Sequence, residues 1–215
     1  TSAGSKYIIV SFSPSGAVAT SIGNLTVLGA PTLTSSAPTA GYISSTITVT
    51  GANFITTAQD AAATCSATVS GTPAICVLLD ATFLKITIAI GTAFGGNAVN
   101  VIMNSAGAVV PNSSAESRAN FIIVFDSPTL ISVDPSTIYV TGKIIIFGSN
   151  FMTLGNDANA QCSCSIGGRA STCTLLSSSS VQVTSSADMQ QSGGIVTLTF
   201  LSGGALSPYN FVESL

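Results

Sequence analysis

The chain has little charge and lacks two residue types that are common in functional sites. Its 215 residues include five Lys or Arg, eight Asp or Glu, and no His or Trp. The absence of His excludes Ser-His and Cys-His nucleophile systems and the usual imidazole metal sites. Five basic side chains cannot neutralise a series of phosphates, which excludes nucleic acid as a partner. We therefore expect no enzymatic activity and no cofactor.

Hydroxyl groups supply most of the polarity. The sequence has 33 Ser and 26 Thr, while 46% of its residues are hydrophobic. A surface of this composition is poorly hydrated on a free monomer, so we expect neighbouring subunits or covalent glycans to cover it.

Long apolar runs are also missing. The nearest candidate, residues 86–103, is interrupted by glycines and asparagines and alternates in polarity. We therefore expect no membrane insertion. Residues 1–6 lack the basic and apolar parts of a secretion signal, as in a mature chain whose signal has been removed.

Short runs in which Val, Ile, Thr and aromatic residues alternate dominate the sequence. Residues 43–50, 83–90 and 195–200 are examples, and Gly, Ser, Asn or Pro bound such runs. This pattern is typical of β-strands, and no stretch keeps a helical period beyond two turns. The sequence predicts an all-β fold.

An internal repeat organises the chain. A displacement of 97 residues aligns four features without a gap. These are Pro31 to Leu33 with Pro128 to Leu130, Pro38 with Pro135, the Gly-x-Asn-Phe motifs at 51–54 and 148–151, and Cys65 and Cys76 with Cys162 and Cys173. Agreement at so many positions indicates two homologous domains, at residues 30–126 and 127–215.

Residues 1–29 are predicted to form a partial repeat, a β-hairpin equivalent to the last two strands of a domain. Such a hairpin is marginal alone, so we expect its apolar side chains to contact another copy of the chain. A chain that continues upstream would be the other explanation. The predicted contact residues are Tyr7, Ile8, Ile9, Val10 and Phe12.

The repeated pattern resembles a known family. Both copies carry Pro-x-Leu-x-Ser-x-x-Pro, then a strand, Gly-[Ala/Ser]-Asn-Phe, a cysteine-bearing hairpin and a closing strand after Gly-Gly. This order is similar to the IPT/TIG module, an immunoglobulin-like β-sandwich. The resemblance implies tandem immunoglobulin-like sandwiches with an N-terminal β-hairpin. It does not select a function, because the family occurs in many settings.

Cysteine spacing predicts two disulfides. Cys65 and Cys76 have the same separation as Cys162 and Cys173, and each pair is centred on a Gly-containing turn. Two such bridges indicate an oxidising compartment, so we expect an extracellular or cell-surface protein. For Cys164 a free buried thiol, a bridge in place of Cys162 and a link between chains remain open. A zinc site would lack a fourth ligand.

Other candidate sites are few. Asn24 and Asn112 begin glycosylation sequons, the second in a predicted polar loop at residues 111–117. Asp60 and Asp157 recur at the same position of the repeat. A turn role is favoured for both, with Ca²⁺ binding by Asp157 as the alternative.

Two functional classes remain. The first is a structural subunit of an extracellular filament or pilus-like surface fibre, in which copies assemble head to tail through sandwich contacts that involve the N-terminal hairpin. The second is a spacer or carbohydrate-binding module of a larger cell-surface receptor or adhesin. The shortage of charges to protect sheet edges favours the first.

Overall fold

The computed structural model describes residues 4–6, 9–12, 17–20, 25–105, 108–189, 194–202 and 205–206. Within these ranges every regular secondary-structure element is a β-strand, which confirms the all-β prediction. The strands fall into an N-terminal segment and two sandwiches. The N-terminal segment comprises β1 (Gly4–Lys6), β2 (Ile9–Phe12), β3 (Ala17–Thr20) and β4 (Leu25–Val27).

The first sandwich contains ten strands: β5 (Thr32–Ala37), β6 (Ala40–Tyr42), β7 (Thr46–Ala52), β8 (Thr64–Val69), β9 (Thr72–Leu78), β10 (Phe83–Thr87), β11 (Gly95–Asn97), β12 (Val99–Ser105), β13 (Ala108–Glu116) and β14 (Ile122–Phe125). The second contains β15 (Thr129–Asp134), β16 (Lys143–Ser149), β17 (Gln161–Ile166), β18 (Arg169–Ser177), β19 (Ser180–Thr184), β20 (Val196–Ser202) and β21 (Ala205–Leu206).

The two sandwiches share one strand order. The first has β13-β12-β8-β9-β10-β7-β5, and the second has β21-β20-β17-β18-β19-β16-β15. β9 pairs with β8 through residues 72–74 and with β10 through residues 75–78, so this strand passes from one layer to the other. The first sandwich adds a three-stranded sheet, β11-β14-β6, in which β6 and β14 are parallel.

Alternating side chains build the cores. In β7, Ile47 and Val49 are fully buried, whereas Thr46, Thr48 and Thr50, which alternate with them, lie on the outer face. In β16, Ile144 and Ile146 take the same inward positions. A period of two is what a half-buried strand requires, because successive side chains point to opposite faces.

The N-terminal segment has four strands instead of the two predicted. β2 pairs with β3, and this hairpin is enclosed by the pairing of β1 with β4. Gly4, Ser5 and Lys6 form β1 without any apolar alternation, because a two-stranded ladder is made by backbone groups. The predicted boundaries of the three parts of the chain stay predictions.

Candidate assembly surfaces

Tyr42 connects the two sandwiches and is 1% exposed. Its hydroxyl donates a hydrogen bond to the Asn150 carbonyl (2.8 Å) and accepts one from the Met152 N–H (3.1 Å). Its ring centroid lies 6.0 Å from that of Phe125 and 6.5 Å from that of Phe200. Burial raises the pKa of Tyr42 above its ordinary value, and the Met152 hydrogen bond opposes this rise. A side chain of β6 thus belongs to the core of the second sandwich.

The turn after Tyr42 directs its side chain. The Tyr42 carbonyl accepts a hydrogen bond from the Ser45 N–H (3.0 Å), and Ser44 has a φ of 65°. Gly41 packs so closely that a Cβ there would meet the Ser45 hydroxyl and the Ile88 side chain. Close packing on one side of β6 therefore leaves Tyr42 to point toward the second sandwich.

The Gly-x-Asn-Phe motif builds the end of the second sandwich that contacts Tyr42. We call this end of a sandwich its receiving end. Phe151 is fully buried, and a Cβ on Gly148 would meet its ring and the Thr129 carbonyl. Asn150 has a φ of 59°, which Asn tolerates better than most residues, and its side-chain amide donates to the Ser127 carbonyl (3.2 Å). The motif thus fills the core and fixes the linker. We call the contact of Tyr42 with this end the Tyr42 joint.

A second hydrogen bond crosses the Tyr42 joint. The Thr39 hydroxyl donates to the Asn156 carbonyl over 3.1 Å. The Asn156 side chain in turn accepts hydrogen bonds from the backbone N–H and the hydroxyl of Thr153, which hold its loop in place. Core packing and polar contacts therefore both fix the second sandwich against the first.

The receiving end of the first sandwich repeats this construction without a tyrosine. Asn53 has a φ of 61°, and its side-chain amide donates to the Ala30 carbonyl (3.0 Å). Beside it lies a cleft of about 320 Å³, whose lining includes Leu28, Ile55 and Met103. We call this cavity the N-terminal cleft.

The predicted contact residues of the N-terminal hairpin have different fates. Ile9 is 65% exposed and Val18 is 62% exposed. Ser11 pairs with Val18 and Ile9 pairs with Thr20, so Ile9 and Val18 share one face of the β2–β3 hairpin. Val10 and Phe12 lie in β2, and only their backbone is described, while Tyr7 and Ile8 lie outside the described residues. Ile9 is therefore the only one of the five whose side chain is described, and the contact with another copy stays a prediction.

A second exposed apolar surface was missed by the sequence analysis. Ile75 and Val77 on β9, Leu79 just after it and Phe83 on β10 are all exposed. The backbone N–H of Leu79 donates to the Phe83 carbonyl (3.1 Å), so Leu79 and Phe83 are neighbours, whereas Val77 faces Lys85 and Ile75 faces Thr87 on β10. The apolar stretch at residues 75–79 was a signal, but it reads equally as a buried strand.

Both predicted disulfides are present. The Cα atoms of Cys65 and Cys76 are 5.7 Å apart, and those of Cys162 and Cys173 are 6.1 Å apart. Cys164 is a free, buried thiol that donates to the Ser171 carbonyl (3.3 Å), and burial raises its pKa to about 11. The first of the three alternatives for Cys164 is therefore the observed one. The bridges indicate folding in an oxidising compartment.

The recurrent aspartates form turns. An oxygen of Asp60 accepts from the Ala62 N–H (2.9 Å), and one of Asp157 accepts from the Asn159 N–H (3.0 Å). These are side-chain turns typical of aspartate. Within the described ranges, no three His, Cys, Asp or Glu side chains form a group that could hold a metal ion. The turn role predicted for both residues therefore accounts for the geometry.

The sequon residues give limited information. Asn24 lies outside the described residues. Asn112 lies in β13, at the edge of the sheet, and not in the predicted loop. The backbone around it pairs with β12, but the ladder shifts between Ser114 and Val109. This irregularity accommodates Pro111, which cannot donate to a ladder.

In the described part of the chain, no helix has the length and apolar character needed to cross a membrane.

A family comparison identifies the second sandwich. Residues 128–212 match the family model described as IPT/TIG domain. This part of the chain is an IPT/TIG domain. The first sandwich has the same strand order and the same Asn-Phe end, so both show the immunoglobulin-like fold that the resemblance implied. No curated protein matches the chain.

The chain aligns with parts of several solved structures. One of the plexin A4 full extracellular region, domains 1 to 10, has a TM-score of 0.51 and 16% identity over 91% of this chain and 17% of that chain. Surface glycan-binding protein PbSGBP-B from Prevotella bryantii has a TM-score of 0.34 and 14% identity over 85% of this chain and 42% of that one. SGBP-B from a complex xyloglucan utilization locus in Bacteroides uniformis has a TM-score of 0.32 and 14% identity over 83% of this chain and 48% of that one. The chain spans less than a fifth of the plexin structure and less than half of the other two.

Proposed function

We propose that the chain is a structural subunit of an extracellular filament, assembled from copies of itself through the N-terminal segment. The observation that carries the proposal is the isolation of this segment. Strand β1 pairs with β4, and β2 pairs with β3. Among the described residues, neither two-stranded sheet pairs with a seven-stranded sheet. Isolated two-stranded sheets are marginal in water, and here Ile9 and Val18 face solvent. A contact with another copy would cover both side chains.

The surface chemistry supports the same role. The chain has 13 charged residues, eight acidic and five basic, and exposes the apolar side chains of Ile75, Val77 and Leu79 along one face of β9 and its end, with Phe83 beside Leu79. A cluster of exposed apolar side chains on a soluble protein is typical of an interaction site. Packing between subunits, together with glycans at Asn24 and Asn112, would hydrate or cover it. No catalytic role is part of this proposal.

Deletion of residues 1–28 tests the proposal. We expect the full chain to form filaments under the electron microscope and the truncated chain to sediment as a monomer with two folded sandwiches. Ile9→Asp should weaken assembly in the same direction, whereas Ile131→Asp, at a residue 64% exposed on β15, is the matched control. Filaments of unchanged geometry from the truncated chain would show that the segment is not the contact.

A carbohydrate-binding module is the second candidate. A cleft of about 470 Å³ is lined by exposed Phe94 and by Asp126, which together offer an aromatic face and a hydrogen-bond acceptor. A concave site with an apolar wall and a few polar groups is the usual form of a small-ligand site. Glycan-array binding that Phe94→Ala removes, in a chain that stays monomeric, would favour this candidate over the filament.

A further inference from the structure

The repeat gives Tyr42 a counterpart that is not buried. Tyr139 stands 97 residues after Tyr42. The Gly142 N–H donates to the Tyr139 carbonyl (2.9 Å), as the Ser45 N–H does to the Tyr42 carbonyl (3.0 Å). The turn residue Thr141 has a φ of 62°, close to the 65° at its counterpart in the first sandwich. The same turn thus presents both tyrosines, but Tyr42 is 1% exposed and Tyr139 is 92% exposed.

The N-terminal cleft is the counterpart of the space that Tyr42 fills. Tyr42 contacts four residues of its joint: Phe125, Asn150, Met152 and Phe200. The residues 97 positions earlier are Leu28, Asn53, Ile55 and Met103, and all four line the N-terminal cleft. The first sandwich therefore has the walls of a tyrosine socket without the tyrosine.

The polar groups of this socket are in place. At the Tyr42 joint the phenol bonds the carbonyl of Asn150 and the N–H of Met152. Within the described residues, no hydrogen bond engages the equivalent Asn53 carbonyl or Ile55 N–H. Asn53 has nearly the same φ as Asn150, 61° against 59°, so the local backbone conformation is the same at both positions. Ser113 also lines the cleft. Its hydroxyl is buried and has no hydrogen-bond partner among the described residues.

A strand position is open next to the socket. In the first sandwich β14 pairs with β11 on one side and with β6 on the other. The β4–β1 ladder is equivalent to the β14–β11 ladder, because Gly4 faces Val27 in the first as Gly95 faces Val124 in the second. Among the described residues β4 has no strand on its other side, and residues 137–139, the counterpart of β6, join no sheet.

We propose that Tyr139 of one copy inserts into the N-terminal cleft of a second copy, while residues 137–139 add in parallel to β4 of that copy. The proposal rests on the proposed function and names the partner of the N-terminal segment. The exposed tyrosine and the open cleft lie on different sandwiches, so each copy offers one of each. Such a heterologous contact propagates from copy to copy, and the added strand supplies backbone hydrogen bonds.

Substitution of Tyr139 tests the insertion. Tyr139→Ala should raise the protein concentration needed for assembly at least tenfold, because a buried aromatic anchor dominates an interface of this kind. Tyr139→Phe should raise it only a few-fold, since the ring stays and the hydroxyl is lost. Leu154→Ala is the matched control, because Leu154 is 65% exposed in the loop that contacts Thr39. Equal assembly by Tyr139→Ala and the control would overturn the insertion.

A cysteine pair tests the register independently. Val124 faces Gly41 in the β14–β6 ladder, and the equivalent pair between copies is Val27 with Ile138. Neighbouring strands lie close enough for a disulfide between facing residues. The chain with Val27→Cys and Ile138→Cys should therefore give a ladder of covalent multimers on a non-reducing gel, with the two new cysteines joined in peptide maps. The chain with Val27→Cys and Ile131→Cys should not.

The outcomes separate this inference from the proposed function. Filaments without the Val27–Ile138 cross-link would leave the function standing and overturn the inference. Cross-linked closed dimers without filaments would support the contact and overturn the function. A chain that stays monomeric at high concentration and forms no cross-link would overturn both.

Discussion

The first and second sandwiches share an interior and differ at their ends and on their outer faces. Both have a buried Phe after a left-handed Asn, and both have one disulfide beside the strand that changes layers. On the outer face, however, Ile75 and Val77 of the first sandwich correspond to Thr172 and Thr174 of the second. The comparison indicates that the shared features stabilise each unit, whereas the differing ones determine what it contacts.

The tyrosines break the symmetry most strongly. Tyr42→Ala should lower the free energy of unfolding by about 3–5 kcal/mol, because it leaves a cavity and two unpaired backbone groups in a core. Tyr139→Ala should change it by less than about 0.5 kcal/mol in the unassembled chain, because Tyr139 is exposed. Denaturant titration followed by circular dichroism measures both. A loss below about 1 kcal/mol for Tyr42→Ala would contradict the Tyr42 joint.

The disulfides should make the sandwiches alike. Replacing Cys65 and Cys76 with Ala, or Cys162 and Cys173, should each cost about 3 kcal/mol, because both bridges close loops with a sequence separation of 11. Thermal unfolding of the two double variants at equal concentration gives the comparison. A loss confined to one of them would mean that the two cores depend on their bridges differently.

The two asparagines sharpen the comparison of the receiving ends. Asn53→Ala and Asn150→Ala should each cost about 1–2 kcal/mol, through the left-handed backbone and the lost hydrogen bond to the linker. The glycine variants should recover part of this loss, because Gly accepts a positive φ. Melting temperatures of the four variants provide the measurement. An alanine variant that melts with the unchanged chain would exclude a structural role for that asparagine.

How far the sequence predicts this molecule depends on the range of the interaction. The cysteine pairs were predictable because equal spacing around a turn is a local signal. Burial of Tyr42 was not, because it depends on a neighbouring sandwich more than a hundred residues away in sequence. β1 was missed because the sequence Gly4, Ser5, Lys6 carries no apolar alternation. The exposed Ile75 and Val77 read as a core strand, since composition does not tell which side of a strand is covered.

The pH dependence of stability should trace Tyr42. The unfolded chain releases the phenolic proton near the ordinary pKa of 10.0, whereas burial keeps it bound in the folded chain. Ionisation of Tyr42 therefore leaves the free energy of unfolding unchanged below about pH 10 and lowers it above that pH, by at most about 1.4 kcal/mol per pH unit. Denaturant titrations at pH 9 and pH 11 measure the effect, and Tyr42→Phe should reduce it. An equal loss in that variant would assign the effect to other groups.

The smallest difference concerns Cys164, which replaces Ala67 of the first sandwich. Its thiol is buried, and burial raises its pKa to about 11, so little thiolate forms at neutral pH. We expect iodoacetamide to leave Cys164 unmodified in the folded chain at pH 7.5 and to modify it once the chain is unfolded. Mass spectrometry of both samples decides, and rapid labelling of the folded chain would contradict a buried thiol.

The displacement of 97 residues has a consequence for any periodic object built from this chain. If Tyr139 meets the N-terminal cleft as Tyr42 meets Asn150 and Met152, the step between copies equals the step within a copy. The asymmetric unit of such a fibre would then hold two nearly equivalent subunits. Its diffraction would be dominated by the spacing of one sandwich, and only weak intermediate layer lines, from differences such as Ile75 against Thr172, would reveal the true repeat.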